Sequence, residues 1–171
     1  MNQDSMEDQE QQANFWSFDH DQDALEIRRV EVPGARHSLR VIRDLIEDAA
    51  TDTPLGDVGA AEFQMAVDEI CANVVEHGYE EHEVEQEGTL IVETGRFNDR
   101  LEAIVTDRSA IRFIVSNPTV PKPSTFLQDQ RKRGLGLDIV RHCVDKVEYQ
   151  WLMPHGNQTR IIKFYGARRY Q

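Results

Sequence analysis

Residues 88–106 read GTLIVETGRFNDRLEAIVT: two runs rich in β-branched and apolar residues, Gly88 to Arg96 and Leu101 to Thr106, separated only by Phe97-Asn98-Asp99-Arg100. So short a connection leaves no room for the crossover that a parallel pair needs, and the spacing predicts an antiparallel hairpin. Val147 to Met153 and Thr159 to Tyr165, joined across Pro154-His155-Gly156-Asn157, predict a second one. Upstream of the first hairpin, Leu25 to Val32 (LEIRRVEV) alternates as a strand and stops at Pro33-Gly34. Helical periodicity follows from Ser38 to Ala50 through Leu39, Val41, Ile42, Leu45 and Ile46. After the turn-rich Thr51 to Asp57, Val58 to Tyr79 is the longest helix candidate, apolar at Phe63, Val67, Ile70, Cys71, Val74 and Val75. Ser116 to Arg133 follows neither period and holds Pro118, Pro121 and Pro123, so it reads as a long loop; a third helix starts at Gly136. The order β-α-α-β-β-loop-α-β-β is built from hairpins, not repeated βαβ units. It predicts an α+β two-layer sandwich, a mixed, mainly antiparallel five-stranded sheet with three helices on one face.

A chain of 171 residues suits one domain with a full-sized core. Residues 1–23 carry seven acidic residues and no Lys or Arg, and include the Gln-rich stretch Gln9 to Gln12, the composition of a disordered tail preceding a domain at 24–171. That tail holds seven of the twelve net negative charges and leaves −5 on the remainder, a balance that speaks against direct nucleic-acid binding. There is no 18-residue apolar run, and the N-terminus lacks the basic and apolar regions of a signal peptide. The expectation is a cytoplasmic chain with no membrane partner. Cys71 and Cys143 fall inside apolar helical patterns and read as reduced core thiols, while His37, His77, His82, His142 and His155 lack ligand spacing.

Three constellations bear on chemistry. On the long helix Glu69, Asn73 and His77 recur every four residues and share a stripe with Glu62, Glu76 and Glu80. Such a face is either simply solvated or a site in which Asn73 offers its amide oxygen to Mg²⁺ and Glu69 takes a proton from a hydroxyl or water. Asp107 ends the strand LEAIVT, where a carboxylate either starts a turn or accepts a hydrogen bond from an exocyclic amine such as that of adenine. Arg133-Gly134-Leu135-Gly136-Leu137 opens directly into a helix. Glycines there either shape a turn or let phosphate oxygens approach unpaired N–H groups at the positive end of the helix dipole. An irregular proline-bearing segment precedes them, so the setting is not that of a dinucleotide fold, and without Gly-Lys-Ser/Thr it is not a Walker loop. Arg131, Lys132 and Arg133 are either solvated or available to neutralise phosphate charge.

In order along the chain, these pieces resemble the GHKL (Bergerat-fold, histidine-kinase-like) ATPases, and most closely the anti-sigma-factor serine/threonine kinases among them. Ala66 to Tyr79 (AVDEICANVVEHGY) resembles the N-box, Asp107 to Phe113 the adenine-binding D-x-G-x-x-F box, Arg133 to Leu137 the glycine box after the ATP lid, and Gly156 to Thr159 the turn into the last strand. The resemblance spans about residues 24–165 and implies an ATP lid at about 109–133. It implies Glu69 as general base and Asn73 as Mg²⁺ ligand, Asp107 as adenine reader and Gly134 and Gly136 as phosphate-loop glycines, with Thr159 a second adenine contact. His77, Ser109, Arg133, Leu135 and Leu137 complete the implied nucleotide site. ATP and Mg²⁺ are then the cofactors, a sigma factor and an anti-sigma-factor antagonist the partners, and a homodimer the assembly. The implied reaction is transfer of the γ-phosphoryl group to a serine of the antagonist. One departure favours an alternative, a catalytically silent partner-switching module with a degenerate nucleotide site: Ser109 stands where the box has glycine, and serine resists positive φ and close approach of a ligand.

Overall fold

The computed structural model describes residues 15–19, 21–79, 88–108, 135–152 and 156–166. Five strands, β1 (Glu26–Pro33), β2 (Thr89–Arg96), β3 (Arg100–Asp107), β4 (Lys146–Leu152) and β5 (Gly156–Phe164), form one sheet in the order β1-β2-β3-β5-β4. Both predicted hairpins are present, and the mainly antiparallel sheet expected is antiparallel at every ladder. Helices α1 (Leu39–Ala50), α2 (Gly56–Asn73) and α3 (Leu135–Cys143) complete the α+β sandwich.

Strand alternation decides what the two layers share. Val92, Leu101, Ala103, Val105 and Ile161 point to the helices and meet Ile42, Ile46, Phe63, Val67, Ile70 and Val140 in one buried core. Each such Val, Leu, Ile or Phe side chain, fully removed from water, contributes roughly 1.5–3 kcal/mol. Lys163 is buried at the far end of this core, where its ammonium donates to Glu62 Oε2 (2.7 Å) and the Cys143 carbonyl (2.6 Å). It thereby fastens β5 to α2 and to the end of α3.

The opposite face of the sheet is not left to solvent. The Gln158 side chain pairs with the Trp16 backbone as a peptide unit would, accepting from Trp16 N (2.8 Å) and donating to Trp16 O (3.0 Å). Phe18 is buried edge-on against Phe97, with centroids 5.8 Å apart, and packs with Ile104. Packing therefore begins before the domain boundary expected at residue 24. Two aromatic side chains and one amide pair outweigh the acidic composition of residues 15–23. Residues 1–14 lie outside the described residues.

Two other boundaries differ from expectation. The long helix stops being α-helical at Asn73, and Val74–Tyr79 continues it as a π-helix. The wider turn changes the angular step per residue, so the stripe joining Glu69 to Asn73 does not run on unchanged to His77. Strand β5 begins at Gly156, whereas the sequence predicts a turn over Pro154 to Asn157 and a strand from Thr159. Gly156 enters the strand at φ +109°, and a side chain there would overlap the Asp107 carbonyl, so only glycine fits. No helix among the described residues is long and apolar enough to cross a membrane.

Candidate functional site

Glu69 and Asn73 lie four residues apart near the C-terminal end of α2, both partly exposed, and Asn73 Nδ2 donates to Glu69 Oε1 at 3.2 Å. That bond sets the amide's orientation. With its nitrogen turned to the carboxylate, Asn73 presents Oδ1 on the other side, a hard oxygen of the kind Mg²⁺ prefers. Among the described residues no group of three or more His, Cys, Asp or Glu is placed to hold a metal. A cation beside Asn73 fits as one that takes a single protein oxygen and fills its shell with phosphate and water.

The glycine motif, more than sixty residues away in sequence, meets this pair. Gly136, in the first turn of α3, lies so close to Glu69 that a Cβ placed on it would overlap Oε1 and stand 2.6 Å from Cδ. Absence of a side chain at Gly136 is what lets the carboxylate sit against the start of α3. A helix start carries backbone N–H groups without intrahelical partners and the positive end of the helix dipole, so Glu69 sits beside an anion-favouring end. Leu135 and Leu137 also belong to this helix. Ser109, Arg133 and Gly134, with the lid expected at 109–133, lie outside the described residues.

Asp107 closes β3 and is buried at 3% exposure. Its register partners are Leu90 on β2 and Asn157 on β5, and Asn157 Nδ2 donates to Asp107 Oδ1 at 2.9 Å. Thr159, also buried, is one pleat repeat further along β5, opposite Val105, and so is not the residue abreast of Asp107. Asp107 is close enough to α2 and the π-turn for its charge to act there. Burial, aided by Asp68 and Asp107, pushes the Cys71 thiol up, and burial together with Asp107 pushes the Tyr79 hydroxyl up to about 12. The Asp107 charge is thus felt both on α2 and on the π-turn.

Tyr79 ties the π-turn to β2 and to the end of β3. Its hydroxyl donates to the Thr89 carbonyl (2.9 Å) and accepts from Arg108 N–H (3.0 Å), so the end of the π-turn holds the backbone just after Asp107. The ring lies in a slot where a Cβ on either Gly34 or Gly88 would overlap it. His77, two residues earlier, is partly exposed on the same turn. The sequence pattern singled out neither Tyr79 nor Asn157, the two side chains that bond at and just after Asp107. Tyr79 read as the last residue of a helix, and Asn157 as part of a turn. The signal available for Asn157 was its place next to Gly156, two residues before the Thr159 that the resemblance picks out.

The model of the histidine kinase-like ATPase domain family matches residues 32–163. Relatives called serine-protein kinase RsbW align over about 70% of the chain. The one from Halalkalibacterium halodurans is 32% identical over 126 residues, 70% of this chain and 64% of that protein. The Bacillus subtilis protein is 27% identical over 118 residues, 69% of this chain and 63% of that protein, and the Bacillus velezensis protein 27% over 124 residues, 71% and 76%. The chain thus spans a little under two thirds of the first of these relatives. Among solved structures, the RsbU and RsbW domains of a Mycobacterium tuberculosis protein superpose with a TM-score of 0.56 at 15% identity, covering 85% of this chain and 34% of that one, a likeness of fold.

Proposed function

Because the chain belongs to the histidine kinase-like ATPase domain family, we propose that it is an ATP- and Mg²⁺-dependent serine protein kinase that acts as an anti-sigma factor. It would phosphorylate an anti-sigma-factor antagonist and sequester a sigma factor. The observation that carries this reading is the seating of the Glu69 carboxylate against the Gly136 backbone, with Asn73 bonded to the same carboxylate. An acid, an amide oxygen and the start of a helix set side by side form a group suited to phosphoryl transfer, in which positioning and electrostatics supply most of the rate.

In this mechanism Asp107 accepts the exocyclic amine of adenine, and Asn157 and Tyr79 hold it there from side chain and backbone. The start of α3 receives the phosphates through its N–H groups, and Gly136 leaves room beside them for the Glu69 carboxylate. Asn73 Oδ1 would hold Mg²⁺, which would supply charge neutralisation to the phosphate chain. Glu69 takes the proton of the attacking serine hydroxyl at Oε1 or Oε2. In the family pattern Thr159, His77, Ser109, Arg133, Gly134, Leu135 and Leu137 would complete the nucleotide site, and about 109–133 would be its ATP lid.

The relatives named RsbW are matched over 63–76% of their own length, and the kinase activity comes to this chain from them as a proposal. The test is a phosphotransfer assay with a purified antagonist protein. Glu69→Gln is expected to bind ATP as the parent does and to lose serine phosphorylation by at least about 100-fold, the scale of general-base catalysis. Equal transfer rates would remove Glu69 as base. The second reading, a binding module without transfer, is favoured by Ser109 in place of glycine. Absence of saturable ATP binding in the parent would select it.

A further inference from the structure

Asp107 is gripped by a two-residue relay whose outer member, Tyr149, has no role in the mechanism above. Asn157 donates from Nδ2 to Asp107 Oδ1 at 2.9 Å, and the Tyr149 hydroxyl donates to Asn157 Oδ1. Chemistry forces this polarity. An ionised carboxylate can only accept, so Asn157 must turn its NH₂ end to Asp107, its carbonyl end then faces Tyr149, and Tyr149 must be the donor. The three residues lie on neighbouring strands β3, β5 and β4 and share the face that carries the helices. Asp107 and Asn157 are 3% and 1% exposed, whereas Tyr149 is only half-buried on the edge strand.

Resting on the assignment of Asp107 as the adenine reader, we infer that Tyr149 and Asn157 are specificity-determining positioning residues. They fix the rotation of the Asp107 carboxylate so that it meets a 6-amino donor and rejects a 6-oxo acceptor. The χ2 torsion of an aspartate is soft, and a carboxylate left to rotate would have to be ordered by each incoming base. A carboxylate already oriented in a buried site discriminates more strongly, because the wrong base leaves it unmatched. Tyr149 reaches the base only through Asn157. Removing its hydroxyl takes a donor from Asn157 Oδ1, so the amide still turns its NH₂ end to Asp107 but holds the carboxylate's rotation less firmly.

The experiment uses the full chain and measures dissociation constants for ATP and for inosine triphosphate, both with Mg²⁺, in the parent, Tyr149→Phe and Asn157→Ala. The parent is expected to prefer ATP. In Tyr149→Phe the preference falls by about 3- to 10-fold, the worth of one hydrogen bond, through weaker ATP binding, while inosine triphosphate affinity stays within about twofold. Asn157→Ala is expected to lose at least as much preference. It is the second variant should Tyr149→Phe fold poorly, which a thermal midpoint reveals. A uniform loss for both nucleotides, with the ratio unchanged in both variants, would mean that these residues support the fold and nothing more, and would overturn the inference. A parent that binds no ATP, or binds both nucleotides equally, overturns the reading of Asp107 and the relay with it. A parent preference that both variants retain overturns the relay alone.

Discussion

Replacing Gly136 by alanine tests the meeting of two sequence-distant motifs. The new Cβ would overlap Glu69 Oε1 and stand 2.6 Å from Cδ, whereas carbon atoms rest about 3.5–4.0 Å apart, so the carboxylate must retreat by about 1 Å or more. Retreat also strains the 3.2 Å bond from Asn73. Misplacement of a reacting group by about 1 Å costs on the order of 100-fold in rate, and that is the loss expected in single-turnover phosphotransfer. Stability should move little. The obstructing atoms are the far end of a flexible, partly exposed side chain, and alanine is better than glycine by up to about 1 kcal/mol in a helix. The methyl group points at Glu69, so ATP affinity should stay within about threefold. Unaltered transfer with an unaltered thermal midpoint would refute the contact. A collapse of stability by several kcal/mol would show that Gly136 serves the core and not the reaction.

Three further outcomes follow from the same geometry. Tyr79→Phe keeps the ring in its slot but removes the bonds to Thr89 and Arg108, and is expected to cost about 1–2 kcal/mol in urea unfolding and to weaken ATP binding. The Tyr79 hydroxyl is raised from 10.0 to about 12, so its contribution to stability is whole below pH 10 and is lost as the pH rises towards 12. The parent should lose stability more steeply than Tyr79→Phe across that window, and parallel curves would contradict the assignment. Phe18→Ala should destabilise by about 3 kcal/mol, because a buried ring against Phe97 and Ile104 leaves a cavity; a change below about 0.5 kcal/mol would show that the segment does not dock in solution.

The sequence was most legible where a pattern had one physical meaning. A four-residue gap between β-rich runs permits only a hairpin, and the apolar periods of α1 and α2 face the core as their spacing requires. Glu69 and Asn73 fall on one stripe because four residues make one helical turn. Illegible features were those in which a tertiary partner overrides the local pattern. Asn157 and Gln158 look like turn residues, yet they pair with Asp107, Thr106 and Trp16, and polar side chains so matched sit in a buried strand as well as apolar ones do. The π-turn at Val74–Tyr79 leaves no mark in a hydrophobic pattern read at 3.6 residues per turn. Acidic composition concealed the docking of Trp16 and Phe18, since composition averages over the two residues that matter.

The central claim is that Glu69, Asn73 and the glycine turn surround one magnesium-bridged polyphosphate. Equilibrium titration with labelled ATP, with and without Mg²⁺, in the parent and in Asn73→Ala, tests it most directly. The account predicts saturable binding that weakens sharply when either the cation or the Asn73 amide is removed, with no further loss when both are absent. Binding indifferent to both, or no saturable binding in the parent, would contradict it.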